Sequence, residues 1–119
     1  MKRPRAHAAC PPGEHGSDLA RLAGRLDREA CRRAAAIFRA LGEPARMQLL
    51  ALLAGREMCV SEIAETLDDS LPAVSQRLKL LRSERIVAQR REGKHVYYAL
   101  ADAHIAKLIA NGLAHAGEA

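Results

Sequence analysis

The stretch from Asp69 to Leu100, "DSLPAVSQRLKLLRSERIVAQRREGKHVYYAL", changes its periodicity halfway along, and that change limits the folds open to the chain. Its first half sets Val74, Leu78 and Leu81 at helical spacing behind Ser70, a capping residue, and Pro72, which suits the first turn of a helix. From Ile86 the pattern alternates, with β-forming residues on both sides of "REGK", and Gly93 supplies the turn. Just upstream, "CVSEIAETLD" reads as a short helix capped by Ser61 with Glu62 in its first turn. Two short helices with a tight connection form a helix-turn-helix, and a hairpin directly after the second helix makes the unit a winged helix. The predicted class is mainly α with a β-hairpin wing.

The remaining segments fit around this unit. Residues 1–16 hold three of the five prolines and scattered charges, the composition of a flexible arm, and 17–119 are expected to form one domain. Leu19, Leu22, Leu26, Ala30, Ala34, Ile37, Phe38 and Leu41 recur every three or four residues, predicting one long or two short helices that end near Gly42, with Ser17 or Asp18 as cap. "EPARMQLLALLAG" predicts a buried helix starting at Pro44 and stopping at Gly55, and a closing helix begins at Asp102. With no Trp, one Phe and two Tyr, the core must be filled by aliphatic residues, as in small helical domains that complete their burial by pairing, so a homodimer is expected.

An excess of 19 Lys and Arg over 14 Asp and Glu gives a net charge of +5, which points to a polyanionic partner. Double-stranded DNA is the expected one, since a helix-turn-helix sets its second helix in the major groove. Ser70, Ser75, Gln76, Arg77 and Lys79 are candidates for contact from the second helix of the pair, while Arg90, Arg91 and Lys94 of the wing are candidates for phosphate or minor-groove contact. No apolar run reaches the roughly 18 residues of a membrane span, and the polar start "MKRPRAHAAC" lacks a secretory hydrophobic segment, so the expected location is cytoplasmic. Three cysteines in a reducing compartment suggest free thiols or metal ligands.

The run "LGEPARMQLLALLAGREMCVSEIAETLDDSLPAVSQRLKLLRSERIVAQRREGKHVYYAL" resembles the ArsR/SmtB family of bacterial metal-responsive repressors, most of all in "EMCVSEIA", "AVSQRLKLLR" and "GKHVYYAL". The resemblance implies a winged-helix homodimer that holds an operator and releases it when an inducer binds. Members differ in where the inducer site lies, so the site has to be sought in this chain's own ligands.

The closing helix offers one. His104 and His115 are eleven residues apart, three turns plus roughly 20°, so they share a face; Glu118 falls within about 40° of His104, and Asp102 sits at the helix entrance. The same eleven residues separate the histidines by about 16 Å along the axis, whereas nitrogen ligands sit ~2 Å from zinc. One helix therefore cannot close its own site. An antiparallel copy across a two-fold axis sets His115 and Glu118 of one chain beside Asp102 and His104 of the other, giving two sites per dimer, with Ile105, Leu108, Ile109 and Leu113 as the apolar seam. Two imidazoles and two carboxylates suit Zn(II), with Co(II) or Cd(II) as further inducers to consider. In the resembled family, this D-x-H…H-x-x-E pattern marks the zinc and cobalt site of the closing helix.

A second metal set draws on Cys59 and Glu62 with Cys10 and His15 or His7 from the arm. Soft-metal sensors in the resembled family carry another thiolate where this chain has Ser61, which weakens a cadmium or lead reading. Cys31, in an apolar-periodic segment, is expected to be a small buried residue. The alternative function is a thiol-based redox or persulfide-responsive repressor of the same fold using Cys31 with Cys59 or Cys10. Catalysis is not expected: four protein ligands leave a bound zinc no open position for water, and no separate base is evident.

Overall fold

The computed structural model describes residues 16–117, and contact density divides the chain into two units, Met1–Arg33 and Ala34–Ala119. The first unit holds α1 (Gly16–Arg25) and the opening of α2 (Arg28–Leu41). The two-helix alternative is thus the one realised. Asp27 stands between the helices, and its Oδ1 accepts the Glu29 N–H at 3.1 Å, which gives α2 a side-chain cap. Ser17 and Asp18, expected as caps, instead lie in the first turn of α1, which starts at Gly16.

The second unit continues through α3 (Pro44–Leu53), β1 (Met58–Cys59), α4 (Val60–Leu67), α5 (Leu71–Ser83), β2 (Val87–Glu92), β3 (His95–Leu100) and α6 (Ala103–Gly117). Glu43 caps α3 by accepting the N–H groups of Ala45 and Arg46 at 3.1 and 2.9 Å, with Pro44 immediately inside. Ser70 caps α5 through the Ala73 N–H at 3.2 Å. Asp102 caps α6 through the Ile105 N–H at 2.9 Å. Arg46 closes the end of α2, donating from Nε to the Ala40 carbonyl at 2.7 Å.

The sheet has strand order β1-β3-β2 and is antiparallel throughout. Glu92 faces His95 across a two-residue turn whose first position, Gly93, has φ +62°, a conformation suited to glycine and to the twist of a hairpin. The core joins Leu49, Leu50 and Leu53 of α3, Ile63 of α4, Val74, Leu78 and Leu81 of α5, Ile86, and Ile105 and Ile109 of α6. Burying a leucine or isoleucine of this kind contributes roughly 2 kcal/mol to folding. Among the described residues no helix is long and apolar enough to cross a membrane.

Three further expectations need correction. Ser61 does not cap α4; Cys59 holds that position, and Glu62 reaches back to accept the Cys59 N–H at 3.1 Å. Cys31 is exposed, because it lies on a face of α2 that its own chain leaves uncovered. Ile105 and Ile109, placed in an intersubunit seam by periodicity alone, are 6 % and 1 % exposed within their own chain. Of that seam, Leu108 and Leu113 remain outside, 37 % and 44 % exposed.

Candidate DNA-binding face and metal ligands

The helix pair α4–α5 turns at Asp68, which adopts a left-handed conformation at φ 52° and ends α4. Because Val74, Leu78 and Leu81 are held in the core, α5 presents the opposite face outward, with Ser75, Gln76 and Lys79 exposed along it. Two of the other predicted contacts already have intramolecular work. Ser70 caps α5, and Arg77 Nη1 lies 2.5 Å from Asp69 Oδ2. Asp69 also accepts the Ser70 N–H at 2.8 Å, and the Arg77 guanidinium followed by this amide holds its carboxyl below the usual range.

The wing divides in the same way. Arg91 and Lys94 are exposed at and beside the turn. Arg90 instead donates from Nε to Glu57 Oε2 at 2.9 Å and from Nη1 to Glu92 Oε2 at 2.7 Å, and its guanidinium carbon stands 4.7 Å from the centre of the Tyr97 ring. The Arg90 contact lowers the Glu57 carboxyl, and Glu57 with Glu92 raises Arg90 in turn.

At the start of α6, Asp102 and His104 stand side by side, with His104 Nδ1 3.8 Å from Asp102 Oδ1. The His104 side chain is 95 % exposed and that of Asp102 55 %. One Asp102 oxygen serves the helix cap, and a carboxylate has a second oxygen with which to take a cation. His115 lies in the last turn of the same helix, and Glu118 lies outside the described residues. Among the described residues no three His, Cys, Asp or Glu side chains gather where they could share an ion. Asp102 and His104 are the pair the fold brings together, and their imidazole and carboxylate donors fit Zn(II) in kind.

Residues 43–89 match the family described as "Bacterial regulatory protein, arsR family". The chain is 46 % identical over 74 residues to the transcriptional repressor SmtB homolog of Synechocystis, covering 62 % of this chain and 56 % of that one. It is 38 % identical over 91 residues to the HTH-type transcriptional repressor SmtB of Mycobacterium tuberculosis, covering 76 % and 67 %. In structure it is similar to a homodimeric winged helix-turn-helix DNA-binding domain from Mycobacterium bovis, with a TM-score of 0.70, 30 % identity and coverage of 92 % and 91 %. This chain belongs to the arsR family. Its match spans little more than half the length of the Synechocystis relative. The family is one of transcriptional regulators, and the winged helix-turn-helix expected from the sequence is the fold observed.

For this arsR-family chain, the cysteine set is only partly in view. Cys59 is half-buried at the start of α4, where Glu62 is engaged both by the Cys59 N–H and by Arg56 Nη2 at 2.7 Å. The Cys59 amide, then Arg56 and the thiol, lower the Glu62 carboxyl. Cys10, His15 and His7 lie outside the described residues. Sequence reasoning missed Glu57 and Asp69 as partners of the two arginines. For Asp69 a signal exists, since an acid just before a helix cap is well placed to meet a base in the following turns.

Proposed function

We propose that this chain is a metal-responsive transcriptional repressor that binds operator DNA as a homodimer and releases it on binding Zn(II). The observation that carries the reading is the exposed Asp102–His104 pair at the head of α6, in a chain whose Ser75, Gln76 and Lys79 face outward from the second helix of a helix-turn-helix. Asp102 and His104 of one protomer, with the partner's His115 and the partner's Glu118, form the ligand set, twice per dimer. When bound, the ion supplies a tie between the two α6 helices. Asp102 holds the head of α6 through the Ile105 amide, and Ile105 and Ile109 seat α6 in the core, so a change in how the two α6 helices meet is carried into the winged helix of each protomer. Metal and operator then oppose each other through a coupling free energy, typically about 1–3 kcal/mol.

Duplex binding followed by fluorescence anisotropy, with and without zinc, tests this. The wild type is expected to lose affinity on addition of zinc. His104→Ala should bind the duplex as the wild type does and ignore the metal. If zinc still releases His104→Ala from DNA, the α6 ligand set is wrong. Release by oxidant that reductant reverses, with chelators inert, would favour the thiol-based alternative.

A further inference from the structure

The register of the sheet puts Arg90 opposite Tyr97 on β3, and Tyr97 opposite Cys59 on β1. Directly opposed residues project from the same face of a sheet, so these three form one row across it. Glu57, two residues before Cys59, grips Arg90 from the far end of that row, with Nε at 3.1 and 2.9 Å from its two carboxylate oxygens and Nη2 on Oε1 as well. Arg90 is thereby bound at once to the β1 side, to Glu92 on its own strand and to the ring of Tyr97 between them. The β1 side leads directly into α4: Met58 is buried, Cys59 caps the helix, and Val60 begins it.

We propose that Arg90 is a positioning residue, a strut that fixes the angle of the wing against the helix-turn-helix, and that it does not itself contact DNA. The proposal rests on the DNA-binding reading given above. One guanidinium held by two carboxylates leaves a cluster of net negative charge, which repels a phosphate. Arg91, opposite Val96 and therefore pointing to the other face of the hairpin, and Lys94 in the turn are the wing cations left for the backbone of a duplex. A fork that takes both oxygens of one carboxylate while stacking on an aromatic ring constrains direction as well as distance, which a lysine at the same place cannot do.

Two variants separate strut from contact. The probe is a fluorescein-labelled duplex enriched by the wild-type protein from a random-sequence pool, titrated over a range of salt. Glu57→Gln removes a negative charge close to a polyanion, so a freed Arg90 that touched phosphate would bind DNA as well as before or better. The strut predicts binding weaker by about threefold or more, the scale of a half-exposed ion-pair network. Arg90→Lys keeps the charge but loses the fork, and the strut predicts the same loss with the salt slope unchanged. Lys94→Ala, by contrast, should lower that slope by about 1. Hydrogen exchange of the hairpin amides from Arg91 to Val96, measured without DNA, should quicken in both strut variants. Full affinity in Arg90→Lys, tighter binding in Glu57→Gln, or unaltered exchange overturns the strut. If the wild type binds no duplex in a salt-dependent way, the DNA reading fails, and the exchange measurement still decides whether Arg90 holds the wing.

Discussion

Between Glu43 and Leu100 the chain buries most of its large apolar side chains, with Leu71 and Leu80 as the exceptions, while its first and last helices leave more of theirs uncovered. Leu49, Leu50, Ile63, Val74, Leu78, Leu81 and Ile86 are all at most 1 % exposed, and the helix starts at Pro44 and Leu71 are capped by side chains. In α1 no residue is buried, and Leu19, Leu22 and Leu26 are 59, 52 and 70 % exposed at helical spacing. In α6 two isoleucines are inside, but Leu108 and Leu113 are out. The contrast separates two tasks. The winged-helix unit holds its shape within one chain, and the terminal helices carry apolar surface of the kind that a second protomer covers.

The contrast breaks most visibly in the core. Leu78→Ala, at a site 1 % exposed, should cost about 3 kcal/mol of unfolding free energy, read as a lower denaturant midpoint with an unchanged slope. A loss well under 1 kcal/mol would mean that the unit is looser than its burial indicates. Next is Leu113→Glu in the uncovered set. Covering the exposed part of this leucine in both copies is worth roughly 2 kcal/mol, so the dimer dissociation constant should rise on the order of thirtyfold in sedimentation equilibrium, with helix content retained. Unaltered association would remove Leu113 from the interface.

Much of the fold was legible because its signals are local. Ser70, Pro72 and Gly93 each act through their own backbone, and the shift from helical to alternating period needs only one strand of sequence to show itself. β1 was not legible: Met58–Cys59 is two residues long, and alternation takes at least four to recognise. The cap at Cys59 could have been found, since Glu62 stands three residues on at capping-box spacing, but serine is the commoner capping residue and Ser61 drew the assignment. Periodicity marked Ile105, Leu108, Ile109 and Leu113 as one apolar stripe; which neighbour covers each of them is a tertiary fact. The Arg90–Glu57 clamp spans 33 residues of chain, and nothing local announces it. Of the proposed metal ligands, Asp102 and His104 are neighbours by sequence alone, whereas the proposal draws the remaining pair from a second protomer.

A smaller effect sharpens the local side of the comparison. Ser70→Ala removes the acceptor for the Ala73 amide at the head of α5 and should cost about 1 kcal/mol, without altering association. Gly at the same place should cost only a few tenths, because glycine tolerates the cap conformation.

The smallest expected effect is on pH dependence, and it falls wholly in the stretch from Glu43 to Leu100. Glu43, Glu57, Glu62 and Asp69 are all held below their ordinary values: Glu43 by the amides of Ala45 and Arg46, Glu57 by Arg90, Glu62 by the amide of Cys59, and Asp69 by Arg77. A carboxyl lowered in the folded state binds protons more readily when unfolded, so it stabilises the fold fully above its unfolded value and ceases to do so as pH falls through the folded value. For the three glutamates the ordinary value is 4.5, so the thermal midpoint should stay level above that range and decline on acidification through and below it. Glu43→Gln should flatten part of this decline, since its amide oxygen can still accept from the α3 head but carries no charge to be titrated. The variant should therefore lose stability at neutral pH and converge on the wild type in acid. A constant gap between the two at every pH would show that Glu43 acts by shape alone, and that the head of α3 does not depend on a charge.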